Sequence, residues 1–274
     1  RARAPRILPP PHATPTHSEH YKSIIIQTAH SLAVRYSPVV GMTRSWGANS
    51  DQKSFEVIID NLMNLELMFW AAKNGGPAES KLHDMALSHA KKTAAYWVRP
   101  DGSTPHLCIF SPTTGKLISP CTGTPQGYSA NSTWARGQAW AIYGFTLAYR
   151  FTQDPALLTA ARAVAAYWLD TVPSGGVPNW DFEAPSPTYA DTSAAAIVAS
   201  AFVELSTFTK DPKYAAEATA IVNTLTTNPA FVASTASTDA VTKGNGHDCG
   251  SADCTIIEPE YYLLEAIRRL QPVA

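Results

Sequence analysis

Three segments of this chain are apolar on nearly every side, and they alternate with segments that are apolar on one side only. The first kind covers 53–73, 134–152 and 191–209, as in Val57-Ile58-Ile59 and Leu65-Glu66-Leu67-Met68-Phe69-Trp70. Read as helices, such segments must be buried all round. The second kind covers 18–36, 79–98, 155–171 and 212–227, each with Lys, Arg, Glu or Gln at helical spacing on one face, and 257–270 closes the series. Strand patterns are nearly absent. Asp154-Pro155 and Asp211-Pro212 each set a capping Asp before Pro at the first helical position, and Asp191-Thr192-Ser193 opens an Ala-rich run in the same manner. The run "DPALLTAARAVAAYWL" from Asp154 also resembles "DPKYAAEATAIVNTL" from Asp211. A repeating pair of one buried and one half-exposed helix predicts an all-α toroid or solenoid. A closed α/α toroid fits best, because its inner helices are covered everywhere except at their ends; a right-handed superhelix is the alternative.

The charge balance narrows the function classes. Lys and Arg number 21 against 22 Asp and Glu, a formal net charge of −1, which gives no reason to expect nucleic acid or an anionic membrane as partner. Apolar residues make up 45%, enough for a large core, and the composition suits a soluble globular protein. The longest apolar stretches carry Asp, Asn or Glu every few residues and are expected to fall short of a membrane span. Residues 1–17, rich in Pro and Arg and without periodicity, read as a tail, leaving 18–274 as one domain. No charged, then apolar, then small-residue export signal appears at the N-terminus, so any such signal was removed or never existed.

Cysteine spacing bears on the compartment. Cys108 and Cys121 flank a Pro/Thr/Gly-rich segment, and Cys249 and Cys254 bracket a short loop with His247 nearby. Two loop disulfides, Cys108–Cys121 and Cys249–Cys254, are favoured over free buried thiols, and both over a metal site, which lacks a second pair at ligand spacing. Disulfides predict an oxidising, extracellular setting, with the cytoplasm as the other option.

Polar residues in a buried helix need a reason. Asp60, Asn61 and Asn64 sit near the start of "FEVIIDNLMNLELMFWAAK". Asp60 is either a cap for neighbouring backbone amides or a general acid tuned by desolvation against Trp46 or Trp134. A second group, Gln126, Trp134, Arg136, Gln138 and Trp140, lies at the entrance to the helix over 134–152. Indole faces stack on a sugar ring while a guanidinium and amides bind its carboxylate; the competing reading makes the tryptophans core and Arg136 a structural ion pair. His106, in the turn-rich "RPDGSTPH", is a third candidate, though a lone loop His taken by itself is more often incidental.

At these segments the sequence resembles glycoside hydrolase family 88, the unsaturated glucuronyl hydrolases. The likeness runs from about residue 20 to the end, through "RSWG", "VIIDNLMNLELMFWAAK", "STWARGQAWAIYGFTLAYR", "VPNWDF", "DTSAAAI" and "EYYLLEAIRRL". It implies an (α/α)6 toroid, no metal and no cofactor. It also implies a substrate: an oligosaccharide with a 4,5-unsaturated uronic acid at its non-reducing end. Ordinary glycosidases set two carboxylates about the anomeric centre. In this family an Asp protonates the C4=C5 vinyl ether and directs water onto C5, and the hemiketal opens to release the neighbouring sugar. The resemblance gives that role to Asp60. It makes Asn61, His106, Gln126, Trp134, Arg136 and Trp140 substrate-binding, Trp46 an aromatic wall, and Tyr262, or else Tyr261, a C-terminal contributor.

The sequence departs from the family pattern in three places. The family's N-terminal helices, with a His-Asp-x-Gly-Phe motif bearing a second carboxylate, have no counterpart here, so about eight of twelve helices and an open toroid are expected. An oligomer that covers the open flank is one consequence. The family's "THQGY-D" pattern reads Thr124-Pro125-Gln126-Gly127-Tyr128-Ser129-Ala130 here, with Pro125 for its His and Ala130 for its Asp, and Asn131-Ser132-Thr133 forms an N-glycosylation sequon. Against the active hydrolase stands a catalytically degenerate carbohydrate-binding remnant.

Overall fold

A computed structural model of the chain describes residues 18–124, 126–186, 188–233, 242–244 and 254–271. The tail over 1–17, Pro125, His247 and Cys249 lie outside them. Among the described residues are eight α-helices: α1 (Glu19–Ala33), α2 (Asn61–Asn74), α3 (Ser80–Trp97), α4 (Ala135–Thr152), α5 (Pro155–Thr171), α6 (Thr192–Thr209), α7 (Pro212–Thr227) and α8 (Ile257–Leu270). The three Asp caps form as the sequence predicts: Asp154 accepts from the Ala156 N–H, Asp191 from Ala194 and Asp211 from Lys213.

The helices sort into an inner and an outer row. α2, α4, α6 and α8 pack side by side in that order, and α1, α3, α5 and α7 back them. The inner helices run parallel, since their meeting points advance together. A Cβ on Gly137 would lie 3.4 Å from Ile59 and one on Gly144 would lie 2.4 Å from the Leu62 Cβ. Arg136 faces Asp191 near the N-terminal ends, and Arg150 binds Glu204 near the C-terminal ends. α4 is buried continuously over 135–148 and α6 over 192–205, as all-round apolarity requires. This row supplies four of the six inner positions of an (α/α)6 toroid, with α2 and α8 at its two ends. On α8, Ile257, Tyr261 and Leu264 form an exposed apolar stripe.

An ionic network bolts the inner row together, from Glu66 in the first half of α2 to the C-terminal halves of α4, α6 and α8. Arg150 donates to Glu66 at 2.8 Å and to both Glu204 oxygens at 2.5 and 2.9 Å. Arg269 donates to Glu204 at 3.3 Å and to Tyr143 Oη at 3.1 Å, and pairs with Glu265 at 3.0 Å. Tyr143 and Ser200 in turn donate to Glu265. Despite burial, the carboxylates around each guanidinium hold both arginines firmly protonated.

Three sequence expectations are corrected. The helix expected over 53–73 starts only at Asn61; Phe55–Ile58 is a strand (β3) paired antiparallel with Leu107–Phe110 (β4). A short run rich in β-branched residues fits strand and buried helix equally well by periodicity, and the distant β4 decides the matter. The helix expected over 18–36 stops at Ala33, and Tyr36–Ser37 (β1) pairs with Met42–Thr43 (β2). Finally, α6 is by length and composition the one helix among the described residues able to cross a membrane. With 72% of it buried inside the protein, core packing accounts for that apolarity.

Candidate active site

The strand β3 ends two residues before Asp60, and its partner β4 begins one residue after His106. Their antiparallel pairing therefore brings together two residues far apart in sequence: Ile59 N–H donates to the His106 carbonyl at 3.0 Å. The Asp60 carboxylate then meets the His106 ring, Oδ2 to Nε2, at 3.0 Å. Asp60 occupies the N-cap position of α2 but makes no side-chain cap, which removes the capping reading of this residue. Its side chain is 30% exposed, whereas that of His106 is 1% exposed. The lone loop histidine is thus enclosed and engaged on both ring nitrogens, Nδ1 lying 2.5 Å from Thr124 Oγ1. Trp134 packs on its ring at 4.9 Å between centroids, and Trp46, itself 44% exposed, meets it edge-on at 6.2 Å.

The second group divides. Trp134 stands just before α4, with the Arg136 guanidinium 5.1 Å over its ring, so this indole is a common neighbour of Arg136 and His106. Arg136 is buried and 3.9 Å from Asp191, a long ion pair between the N-terminal ends of α4 and α6. Gln138 is structural: it accepts from Thr104 and donates to the Gly102 and Val164 carbonyls. Asn61 also has its amide committed, donating to the Thr43 carbonyl at 2.9 Å and accepting from Ser45 at 2.9 Å. It fixes the loop that carries Trp46. Gln126 is exposed, and its N–H is 3.3 Å from Thr124 Oγ1. Trp140 and Tyr262 meet edge to face at 5.5 Å, further along α4 and beside Tyr143. Burial pushes the Tyr262 phenol well above its ordinary range.

No protein-family model matches the chain. Over 263 residues it is 35% identical to the unsaturated glucuronyl hydrolase of Bacillus sp. strain GL1, covering 92% of this chain and 69% of that protein. The chain belongs to the unsaturated glucuronyl hydrolase family. It is 40% identical over 261 residues to the unsaturated glucuronyl hydrolase of Formosa agariphila, covering 93% of this chain and 64% of that one. It therefore spans about two thirds of the length of these relatives. Among solved structures, an unsaturated glucuronyl hydrolase specific for heparin superposes with a TM-score of 0.84 at 33% identity, over 94% of this chain and 70% of that chain.

In this member of the unsaturated glucuronyl hydrolase family, sequence reasoning passed over three residues that build the site. Asp181, fully buried, accepts from the Tyr128 N–H at 2.8 Å and the Ser132 hydroxyl at 2.7 Å, folding the loop that leads from Gln126 to Trp134. Glu183 accepts from the Thr133 N–H at 2.7 Å. Burial, and then the Asp181 charge, raise its carboxyl above the usual range. Asp181 lies in "VPNWDF", where a carboxylate in an aromatic setting was the available signal. The third residue is Thr124. The Cys108–Cys121 disulfide and the Leu107–Thr122 backbone pair, both N···O distances 2.8 Å, tie its segment to β4. The other expected disulfide includes Cys249, outside the described residues.

Proposed function

We propose that this chain hydrolyses oligosaccharides ending in a 4,5-unsaturated uronic acid, with Asp60 as the acid and base. The observation that carries the reading is the Asp60–His106 contact: a carboxylate released from capping, open on one side to solvent and anchored on the other to an enclosed ring between two indoles. The Asp60 carboxyl gives its proton to C4 of the vinyl ether, and the cation at C5 is stabilised by the ring oxygen. Water adds at C5 and returns a proton to the carboxylate. The resulting hemiketal opens and frees the neighbouring sugar, with no net change at Asp60. Trp46 and Trp134 form the apolar walls against the sugar ring. Arg136, stacked over Trp134, supplies the positive charge that favours a uronate, tempered by Asp191. The disulfide supports an oxidising compartment for the protein.

The experiment follows the ultraviolet absorbance of unsaturated chondroitin, hyaluronan and gellan disaccharides. Absorbance falls with the native chain, and Asp60→Asn slows the fall by about 100-fold or more, the usual worth of a general acid. A flat trace from folded native protein, with disaccharide binding retained, refutes hydrolysis and leaves a sugar-binding protein.

A further inference from the structure

The contacts around His106 form a directed chain. Asp60 Oδ2 lies 3.0 Å from Nε2, a contact that favours the ring proton on this nitrogen and is one of two that bias the tautomer. In the neutral ring Nδ1 is then an acceptor, and the hydroxyl facing it at 2.5 Å, Thr124 Oγ1, is the donor. The same oxygen is left with lone pairs for the Gln126 N–H at 3.3 Å. Every donor along Gln126 N–H, Thr124 O–H and His106 Nε2–H thus has one acceptor, and the chain ends on one oxygen of Asp60.

We infer that Thr124 is a positioning residue that holds His106 as the Nε2–H tautomer and thereby assigns the two oxygens of Asp60 to different tasks. The inference rests on the proposed hydrolysis for its kinetic consequence but not for its spectroscopic one. Oδ2, held by His106, accepts throughout the reaction; Oδ1, free of that contact, carries the proton to the sugar. Without the Thr124 hydroxyl the ring has no donor facing Nδ1, and the tautomer with the proton on Nδ1 becomes accessible. That tautomer turns a lone pair toward the carboxylate and releases it. The hydroxyl is delivered by a braced segment. Thr124 lies two residues beyond the Leu107–Thr122 backbone pair and three beyond Cys121, whose disulfide partner, Cys108, is two residues from His106.

The test compares Thr124→Val, which keeps the shape, with Thr124→Ser, which keeps the hydroxyl. Nitrogen NMR of histidine-labelled protein, with His106 assigned by its absence in His106→Gln, reads the tautomer directly. The native chain and Thr124→Ser are expected to show Nε2 protonated and Nδ1 bare. In Thr124→Val both nitrogens shift toward averaged values. In the absorbance assay, Thr124→Val lowers kcat by about tenfold with KM little changed, the order of one lost hydrogen bond, and Thr124→Ser returns to within about twofold. An unchanged native tautomer in Thr124→Val overturns the inference, as does a Thr124→Ser chain that matches Thr124→Val in both readouts. A tautomer shift in a chain that turns over no substrate sustains the positioning and sinks only the hydrolysis.

Discussion

His89 couples the stability of the site's support to pH. It lies on α3, fully buried, and its Nδ1 accepts from the Thr43 N–H at 3.0 Å. Nε2, which must then carry the proton, is buried with no hydrogen-bond partner. No charged group offsets the burial of a second proton, and burial lowers the ring from 6.5 to about 3. The folded value is depressed, so the unfolded chain takes up the proton first. Stability is fully present above the unfolded value and is lost as pH falls from there toward about 3. At about pH 5 the unfolded ring lies about 1.5 units into its titration, which at 1.36 kcal/mol per unit costs about 2 kcal/mol relative to neutral pH.

The perturbation is His89→Asn, whose side-chain oxygen can still accept from Thr43. Urea unfolding followed by tryptophan fluorescence gives the unfolding free energy at both pH values. The variant loses packing and is expected to be less stable at neutral pH; that offset is common to both conditions and cancels. The native chain should lose about 2 kcal/mol more than the variant between about pH 7 and pH 5, because carboxylates and other histidines titrate alike in both. Equal losses would show that His89 is protonated when folded, and the argument from burial would fail. The consequence reaches the site: Thr43 also receives Asn61 Nδ2 at its carbonyl, and Asn61 fixes Ser45 beside Trp46.

Two further tests probe the frame. Gly144→Ala adds a Cβ 2.4 Å from the Leu62 Cβ, at the root of that side chain, where no rotamer change can make room; overpacking at about 1–3 kcal/mol should outweigh the gain of about 1 kcal/mol in helix propensity, and a raised urea midpoint would contradict the close approach of α2 and α4. Replacing Cys108 and Cys121 by Ala opens a loop with a sequence separation of 13, for which chain entropy predicts a loss of about 3 kcal/mol in urea unfolding; a reductant should produce a similar loss in the native chain, and a native chain indifferent to both changes would exclude the brace.

Much of the fold is legible because helices announce themselves locally. The Asp caps, the Pro residues behind two of them, and the contrast between "TSAAAIVASAFVELSTFT" and "PKYAAEATAIVNTL" separate inner from outer helices without tertiary information. The strand at Phe55–Ile58 was not legible, because its partner at Leu107–Phe110 is remote and both are short. The same remoteness hid the site. His106 looks incidental in "RPDGSTPH" until β3 and β4 pair and carry it to Asp60. Asn61 shows the opposite failure: an amide in an apolar helix suits a ligand or a backbone carbonyl equally, and only the position of Thr43 decides for the latter. Thr124 keeps the first residue of the family's "THQGY-D" pattern, but only the fold shows that its hydroxyl faces the His106 ring.

The parallel inner helices divide their length between two tasks. Near the N-terminal ends, Gly137 lets Ile59 approach α4, and the loops before α2 and α4 supply Asp60 and Trp134. Toward the C-terminal ends of α4, α6 and α8, Arg150 and Arg269 hold Glu204 and Glu265, and Arg150 also reaches Glu66 in the first half of α2. These groups also set the register of the helices that carry the site. The Arg150 charge is offset by two adjacent carboxylates, one of which, Glu66, is six residues from Asp60 (66 − 60). The groups set the register through the alignment of α2 with α4: Glu66 is bonded to Arg150 in the same parallel register that sets Leu62 against Gly144 and Ile59 against Gly137. A slip of α2 by one helical turn, about 5.4 Å, breaks all three contacts at once and exceeds the whole Asp60–His106 distance of 3.0 Å, so the ionic network fixes the geometry of the site without touching it.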